Sequence, residues 1–496
     1  MNSGTQGHRR ALLFGRIAEG NINQNSTNNM NTIRFLDSWR QGHRGHFFSA
    51  LALGFGLAAT PVVQAAEGAD ADQKSSAAET VRTAAKAGTL AFRLSTPDEL
   101  EALLGKAQNK RDGREGDVMT RVLEFPNVVA TFGRFGEFGG PFTLFQVQVE
   151  GQPVDIGRER QRVLRTVDDL GKLDSFWGMA GVSLAKLDLR DQLKAVNKYT
   201  FDSQTVWPAA DKLPTGFDPA RLLEEGKNPG LGVRELHAAG LDGKGIGIAI
   251  IDQPLLKDHE EYKDRIVTYT EVDTGGAGPQ MHGPSVASIA VGKSCGVAPG
   301  ASLYYYAVPT WKWTKNEPWA EQLERIVEVN RGLTGTPKIR VVSISLGAFS
   351  ERPNPARWEE AVKKAEENNI LVLTCDPHFL KLATLKRHED HPDPGPADYE
   401  RGWFGYPAGA LCVPAANRSL ASFRGPHVYT YDRTGGLSWT VPYLAGVAAL
   451  AWQVDPSITP QAMVDLLKRT AVKTTVGSVV NPLAVIDEAK GQAKKG

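Results

Sequence analysis

Gly245-Ile-Gly-Ile-Ala-Ile-Ile-Asp252 is the stretch on which the fold turns. From Ile246 to Ile251 it is a continuous apolar run suited to a strand buried on both faces, and it ends on an acid. Two later segments change character just as sharply. In His282-Gly-Pro-Ser-Val-Ala287 a histidine beside a glycine opens an apolar helical pattern. In Gly435-Gly-Leu-Ser438-Trp-Thr-Val-Pro442-Tyr-Leu-Ala-Gly446 a serine follows two glycines and precedes another. Asp, then His, then Ser is one of the few chain orders that assemble a nucleophile, its base and the base's orienter.

Working outward, the chain from about Leu231 alternates apolar strands with helical patterns. Strands are predicted at 301–308, 339–346, 370–374 and 410–415, and helices at 319–329, 358–368, 441–454 and 460–470. This is the grammar of parallel βαβ units, and it predicts an α/β three-layer fold with a central parallel sheet. Side chains at strand ends and helix starts then converge above the carboxyl edge of the sheet. A serine hydroxyl is a weak nucleophile until a base takes its proton, and a neutral imidazole held by an acid does so near neutral pH. Ser438 is the candidate nucleophile, His282 its base and Asp252 the orienter. Singly, each has a plainer reading: a turn cap, a structural histidine, a helix cap. Order, flanks and fold grammar together favour the catalytic one.

These segments resemble the subtilisin-like serine proteases (subtilases), over about Leu231 to Ala489. Gly296-Val-Ala-Pro-Gly-Ala-Ser-Leu303 is similar to the family's segment leading from the His helix into the next strand. Val342-Ser-Ile-Ser-Leu-Gly347 resembles the strand whose end pairs with an extended substrate, which makes Ser345, Leu346 and Gly347 candidate substrate-binding residues. Tyr406-Pro407-Ala408 and Ala421-Ser422-Phe423 are similar to segments preceding the family's serine motif. The chain departs from the family in several places. Gln253-Pro254 follows the acid where a small residue and glycine are usual, and Gly283-Pro284-Ser285 replaces Gly-Thr-His. Leu437 and Trp439 are larger than the usual neighbours of the serine, and Trp439 either narrows the cleft or packs on the core. The family's oxyanion asparagine is missing, because the fourth strand leads into Thr374-Cys375-Asp376-Pro377-His378. Loss of such a donor costs about 2.7–4 kcal/mol in the transition state. Asp376 is the oxyanion candidate, donating from a neutral carboxyl as in the related sedolisins; its alternative is a loop cap, with backbone N–H groups alone at the oxyanion.

The other half of the chain sets the context. At 496 residues, with 41% hydrophobic and 23% charged residues, two ordered domains are expected. A net charge of +1 offers no field for nucleic acid, which is not expected as a partner. Arg40, His43 and Arg44 followed by the apolar run 47–63 and small residues at 63–66 read as an export signal. Only an uncleaved signal would make the membrane a partner. Three cysteines, Cys295, Cys375 and Cys412, leave at least one thiol free in a monomer.

The expected organisation is an extension and signal segment (1–66), a linker (67–88), and a smaller α+β or mostly β domain (89–199), accessory or propeptide-like. A Pro-rich extended connector (200–230) and the subtilase-like domain (231–496) complete it. In the third region Thr96-Pro97-Asp98-Glu99 signals a helix start, 122–132 and 142–149 read as strands, and 182–190 as one half-buried strand. The insertion 381–401, with His388, Glu389, Asp390 and His391, reads as a solvated loop. Its residues lack the spacing of a zinc site, so no metal is assigned. No cofactor is expected; the resemblance leaves calcium open with no ligand set. Nothing in the sequence sets an oligomeric state. The expected function is an exported serine endopeptidase acting on protein or peptide through an acyl-enzyme. The alternative is a catalytically weak or inactive subtilase fold that binds peptides.

Overall fold

The computed structural model describes residues 71–494 except 116–117, 136–140, 158–160, 175–177, 378–379 and 406–408. The signal segment, the 406–408 motif and His378 lie outside the described residues.

Helices α1 (Ala71–Lys86) and α2 (Pro97–Leu104) precede strands β1 (Asn109–Glu115), β2 (Val118–Phe125), β3 (Val128–Phe135), β4 (Thr143–Val149) and β5 (Gln152–Pro153). The strands form an antiparallel meander in sequence order. Helix α2 begins as its sequence requires: Glu99 N–H donates to Thr96 Oγ1, and Thr96 N–H donates back to the Glu99 carboxylate. Strand β1, Asn-Lys-Arg-Asp-Gly-Arg-Glu, has no apolar pattern to reveal it, and its charges suit an exposed sheet edge. The linker reading of 67–88 is corrected by α1, whose Ala78, Val81, Ala84 and Ala85 join the meander's core. Alanine contributes little to apolar pattern but is the strongest helix former, so a real amphipathic helix passed for a polar spacer.

Residues 162–230 form a second layer with short strands β6 (Arg162–Val163), β7 (Val182–Ser183) and β8 (Phe201–Asp202) and helices α3 (Leu193–Val196) and α4 (Pro219–Glu225). The half-buried strand expected at 182–190 is only two residues long, paired parallel with β6; Leu184, Leu187 and Leu189 fill a core without extending it. The extended-connector reading of 200–230 is also corrected. Strand β8 pairs antiparallel with Tyr429–Asp432, and Phe201, Phe217 and Leu222 share a core with Tyr431. The prolines mislead because Pro219 starts a helix rather than preventing one, with Asp218 accepting from Ala220 and Arg221 N–H at 3.0 Å.

The remainder keeps to the predicted alternation: α5 (Val233–Ala238), β9 (Gly247–Asp252), β10 (Ile266–Glu271), α6 (His282–Val291), β11 (Ser302–Ala307), α7 (Glu317–Gly332), β12 (Ile339–Ile344), α8 (Pro355–Glu367) and β13 (Leu371–Thr374). These strands make an all-parallel sheet in the order β10-β11-β9-β12-β13, with β9 at its centre. All six residues of β9 are buried; Ile248 and Ile250 face one core, Ala249 and Ile251 the other. Helix α6 packs in the first core, α7 and α8 in the second, which is the three-layer arrangement.

A second sheet, β15-β14-β16-β20-β19, uses β14 (Leu382–Arg387), β15 (Tyr399–Arg401), β16 (Leu411–Ala416), β19 (Val472–Thr474) and β20 (Gly477–Val479). The insertion 381–401 thus supplies two strands, and only the 388–398 segment between them is a largely exposed loop. Leu382 and Leu385 are buried, and Glu389 accepts from Tyr431 and pairs with Arg433. Strands β17 (Arg418–Ala421) and β18 (Tyr429–Asp432) lead into α9 (Leu437–Val454), then α10 (Pro460–Arg469) and α11 (Pro482–Ala493). All three cysteines are buried. Among the described residues no helix is long and apolar enough to cross a membrane.

Candidate active site

Asp252 is the last residue of the central strand, fixed through its carbonyl, which accepts from Val308 N–H at 2.8 Å. Its Oδ1 accepts from Gln253 N–H at 2.7 Å and from His282 Nδ1 at 2.8 Å. His282 is the first residue of α6, and both residues are almost wholly buried, His282 at 5% and Asp252 at 2% exposure. With Nδ1 donating to the carboxylate, Nε2 is the basic nitrogen of the neutral ring. Hydrogen bonds to charged groups of this kind contribute about 1.5–3 kcal/mol. Gly283 makes the approach feasible: a Cβ there would lie 2.3 Å from the Gln253 carbonyl oxygen and 2.6 Å from the Tyr305 hydroxyl. The unusual Gln253-Pro254 loop is tied down in its own way. Tyr305 donates to the Gln253 carbonyl, and Gln253 Nε2 donates to Thr310 Oγ1 at 3.1 Å. Burial, and secondarily the charge of Asp252, push the Tyr305 phenol well above its ordinary pKa, so it remains a donor.

Ser438 occupies the first turn of α9, whose N-cap Gly436 has no side chain to cap the early N–H groups. The backbone N–H of Ser438 thus sits where a helix favours negative charge. Ser438 Oγ donates to the Ser345 carbonyl at 3.3 Å, and Ser345 Oγ donates to the Ser438 carbonyl at 2.8 Å. The second bond has a cause in the sequence. Pro442 has no N–H for the carbonyl four residues before it, and Ser345 fills that vacancy. Beyond Ser345, the Leu346 carbonyl accepts from Cys375 N–H at 2.9 Å, and Gly347 lies against the Cys375 backbone. The residues expected to bind substrate thus join the end of β12 to the nucleophile's helix and to the segment after β13.

Asp376 takes the capping arrangement. Its Oδ2 accepts from Ser350 N–H at 3.2 Å and Ser350 Oγ at 3.4 Å, holding the 349–351 turn. Burial lowers the neighbouring Arg352 guanidinium to about 10, with Asp376 opposing the shift. The donor role expected for Asp376 meets a carboxylate that here works as an acceptor. Trp439 is the residue that sequence reasoning left undecided. It is 4% exposed, and its ring lies 5.1 Å from that of His282, inclined at 35°. It brings the residue after Ser438 onto His282, and its indole N–H donates to Asp432 Oδ2 at 2.6 Å. Asp432 was not singled out from the sequence. Its only signal there is an acid just before the Thr-Gly-Gly turn that precedes the serine. Among the described residues no group of His, Cys, Asp and Glu is arranged to hold a metal ion.

A model of the subtilase family matches residues 243–375. A subtilisin-like protease, PopC, of Myxococcus xanthus is 27% identical over 294 residues, 49% of this chain and 58% of that protein. The major intracellular serine protease of Bacillus subtilis is 31% identical over 152 residues, 28% of this chain and 44% of that one. Subtilisin BL of Lederbergia lenta is 28% identical over 256 residues, 49% of this chain and 88% of that one. Over residues 243–375 the chain is similar to the subtilase family. It spans only about half the length of the first two relatives. The family match takes in Asp252, His282 and the Ser345–Gly347 segment, and ends before Ser438.

Proposed function

We propose that the chain is a serine endopeptidase working through Asp252, His282 and Ser438. The observation that carries this reading is the buried hydrogen bond between His282 Nδ1 and Asp252 Oδ1, beside the start of the serine's helix. On this reading Ser438 Oγ leaves the Ser345 carbonyl and gives its proton to His282 Nε2 as it attacks the substrate carbonyl carbon. The oxyanion is met by the Ser438 backbone N–H, and His282 passes its proton to the leaving amine. Water then releases the acyl group by the same steps reversed. An extended peptide lies along Ser345–Gly347. The apolar run at 47–63 supports export of the protein.

Asp376 favours a second reading. An acceptor that caps the 349–351 turn leaves no side-chain amide for the oxyanion, which suits a peptide-binding protein of weak hydrolytic power. A fluorescent fluorophosphonate separates the two. Labelling of the wild type that vanishes in Ser438→Ala, with a loss of about 10⁶-fold in kcat, supports the peptidase. A folded wild type that never labels favours the binding protein.

A further inference from the structure

The residues around Asp432 join three parts of the chain at one buried carboxylate. Oδ2 accepts from the Trp439 indole at 2.6 Å. Oδ1 accepts from Thr434 N–H at 2.9 Å, Gly435 N–H at 3.2 Å and Thr200 Oγ1 at 3.4 Å. The Thr200 hydroxyl in turn accepts from Arg433 N–H at 3.2 Å. Thr200 comes from the upstream layer, adjoining β8, whose Phe201 stacks on Tyr431 with ring centroids 5.1 Å apart. Gly435, at φ +66°, presses so close to β16 that a Cβ would meet the Ala415–Ala416 backbone at 2.8 Å. The loop entering the nucleophile's helix is therefore clamped on both sides.

We propose that Asp432 is a positioning residue for this site, holding Trp439 against the His282 imidazole, and that Thr200 braces it from the upstream layer. The inference rests on the peptidase reading for its kinetic consequence only. An indole N–H buried at this depth needs an acceptor, and a ring fixed at one end restricts whatever its face touches. Here that face meets His282, so the imidazole is bounded by Asp252 at Nδ1 and by Trp439 across its plane. A carboxylate is the group required, because both its oxygens can accept from donors. An asparagine would turn an N–H₂ toward an indole or backbone N–H and break one arm of the clamp. Thr200 supplies what the two glycines cannot, a side chain that both accepts from this loop and donates to the acid.

The test uses the full-length chain, labelled with ¹⁵N-histidine, and a fluorescent fluorophosphonate. Saturation kinetics give the maximal labelling rate and the half-saturating concentration separately, and proton NMR reports the low-field His282 Nδ1–H, assigned by its loss in His282→Gln. Asp432→Asn should lower the maximal rate about tenfold or more, since an ångström of misplacement can cost ~100-fold. Half-saturation should stay within about twofold, and the Nδ1–H signal should shift or broaden. Trp439→Phe and Thr200→Val should do the same to a lesser degree, and Thr200→Ser should restore the wild-type behaviour. If Asp432→Asn does not fold, these milder variants decide the question. A folded variant set that melts earlier, yet keeps the labelling rate and the Nδ1–H signal, overturns the proposal. A wild type that never labels would refute the peptidase reading instead, and the Nδ1–H signal would still judge the brace.

Discussion

Residues 71–156 and residues 162–230 both precede the parallel sheet, and they relate to it in opposite ways. The first region builds its core from its own residues, with Leu100, Leu123, Val128, Phe132, Leu144 and Val147 fully buried among themselves and α1. Its bonds to the second region are largely polar: Arg93 with Asp174 at 2.8 Å, Lys172 with Glu99, and Arg165 with the Gly88 carbonyl at 2.8 Å. The second region has no complete core of its own. Phe201 and Phe217 need Tyr431, β8 needs β18, and the Leu223 and Gly226 carbonyls are met by Ser419. A region that closes its own core can be lost as a unit. One that borrows a strand and an aromatic from the parallel-sheet half cannot.

The largest effect that could break this contrast is truncation. A chain starting at Gln161 should fold cooperatively and react with a fluorophosphonate like the full-length protein. A chain starting at Leu231 should be insoluble or molten, because it exposes Tyr431 and leaves β18 as a bare edge. Circular dichroism melts of both chains decide it, and a well-folded 231–496 chain would dissolve the distinction. Single substitutions probe the contrast more finely. Phe201→Ala and Phe132→Ala each delete a fully buried ring, so each should destabilise its surroundings by about 3–5 kcal/mol in urea titration. Only Phe201→Ala should also slow fluorophosphonate labelling below its melting temperature. Equal effects of both on labelling would show that the first region is wired to the site as well.

Much of the parallel-sheet half was legible because its physics is local. An apolar strand buried on both faces has no polar positions, so Ile246–Ile251 could be read without knowing its neighbours. The junction residues Asp252, His282 and Ser438 emerge from the same punctuation. What escaped reading depends on distant partners. The prolines of 200–230 look like breakers until Asp218 is seen capping Pro219's helix and Phe201 is seen stacked on Tyr431. The alanines of α1 look like spacer until a sheet lies under them. Trp439 could not be assigned from its neighbours because its role is set by Asp432 on one side and His282 on the other. Asp376 resembled an oxyanion donor by position; its Oδ2 bond to Ser350, 26 residues earlier in the chain, could not be read from its neighbours.

The smallest effect separates the regions by acid. Residues 71–156 contain no histidine, whereas the parallel-sheet half holds His259 and His237, both pushed below their ordinary pKa of 6.5 chiefly by burial. The neutral form of His259 is also dictated by its bonds. Nε2 meets the Val428 carbonyl at 3.0 Å, and Nδ1 accepts from Glu261 N–H at 3.2 Å, so a second ring proton would face a donor. Glu260 and Glu261 oppose this depression and His427 adds to it, but burial dominates. A histidine with a depressed folded-state pKa stays neutral in the fold while the unfolded chain takes up a proton. Its stabilising contribution is therefore intact above about 6.5 and is lost progressively as pH falls below that value, at about 1.4 kcal/mol per unit of pKa depression. Thermal melts between pH 7.5 and 5 should show the parallel-sheet half weakening while the 71–156 region holds steady. His259→Gln should lower the melt at neutral pH and flatten its decline on acidification. An unchanged slope in that variant would move the acid sensitivity elsewhere, and a parallel decline in the 71–156 region would mean that the two regions unfold as one.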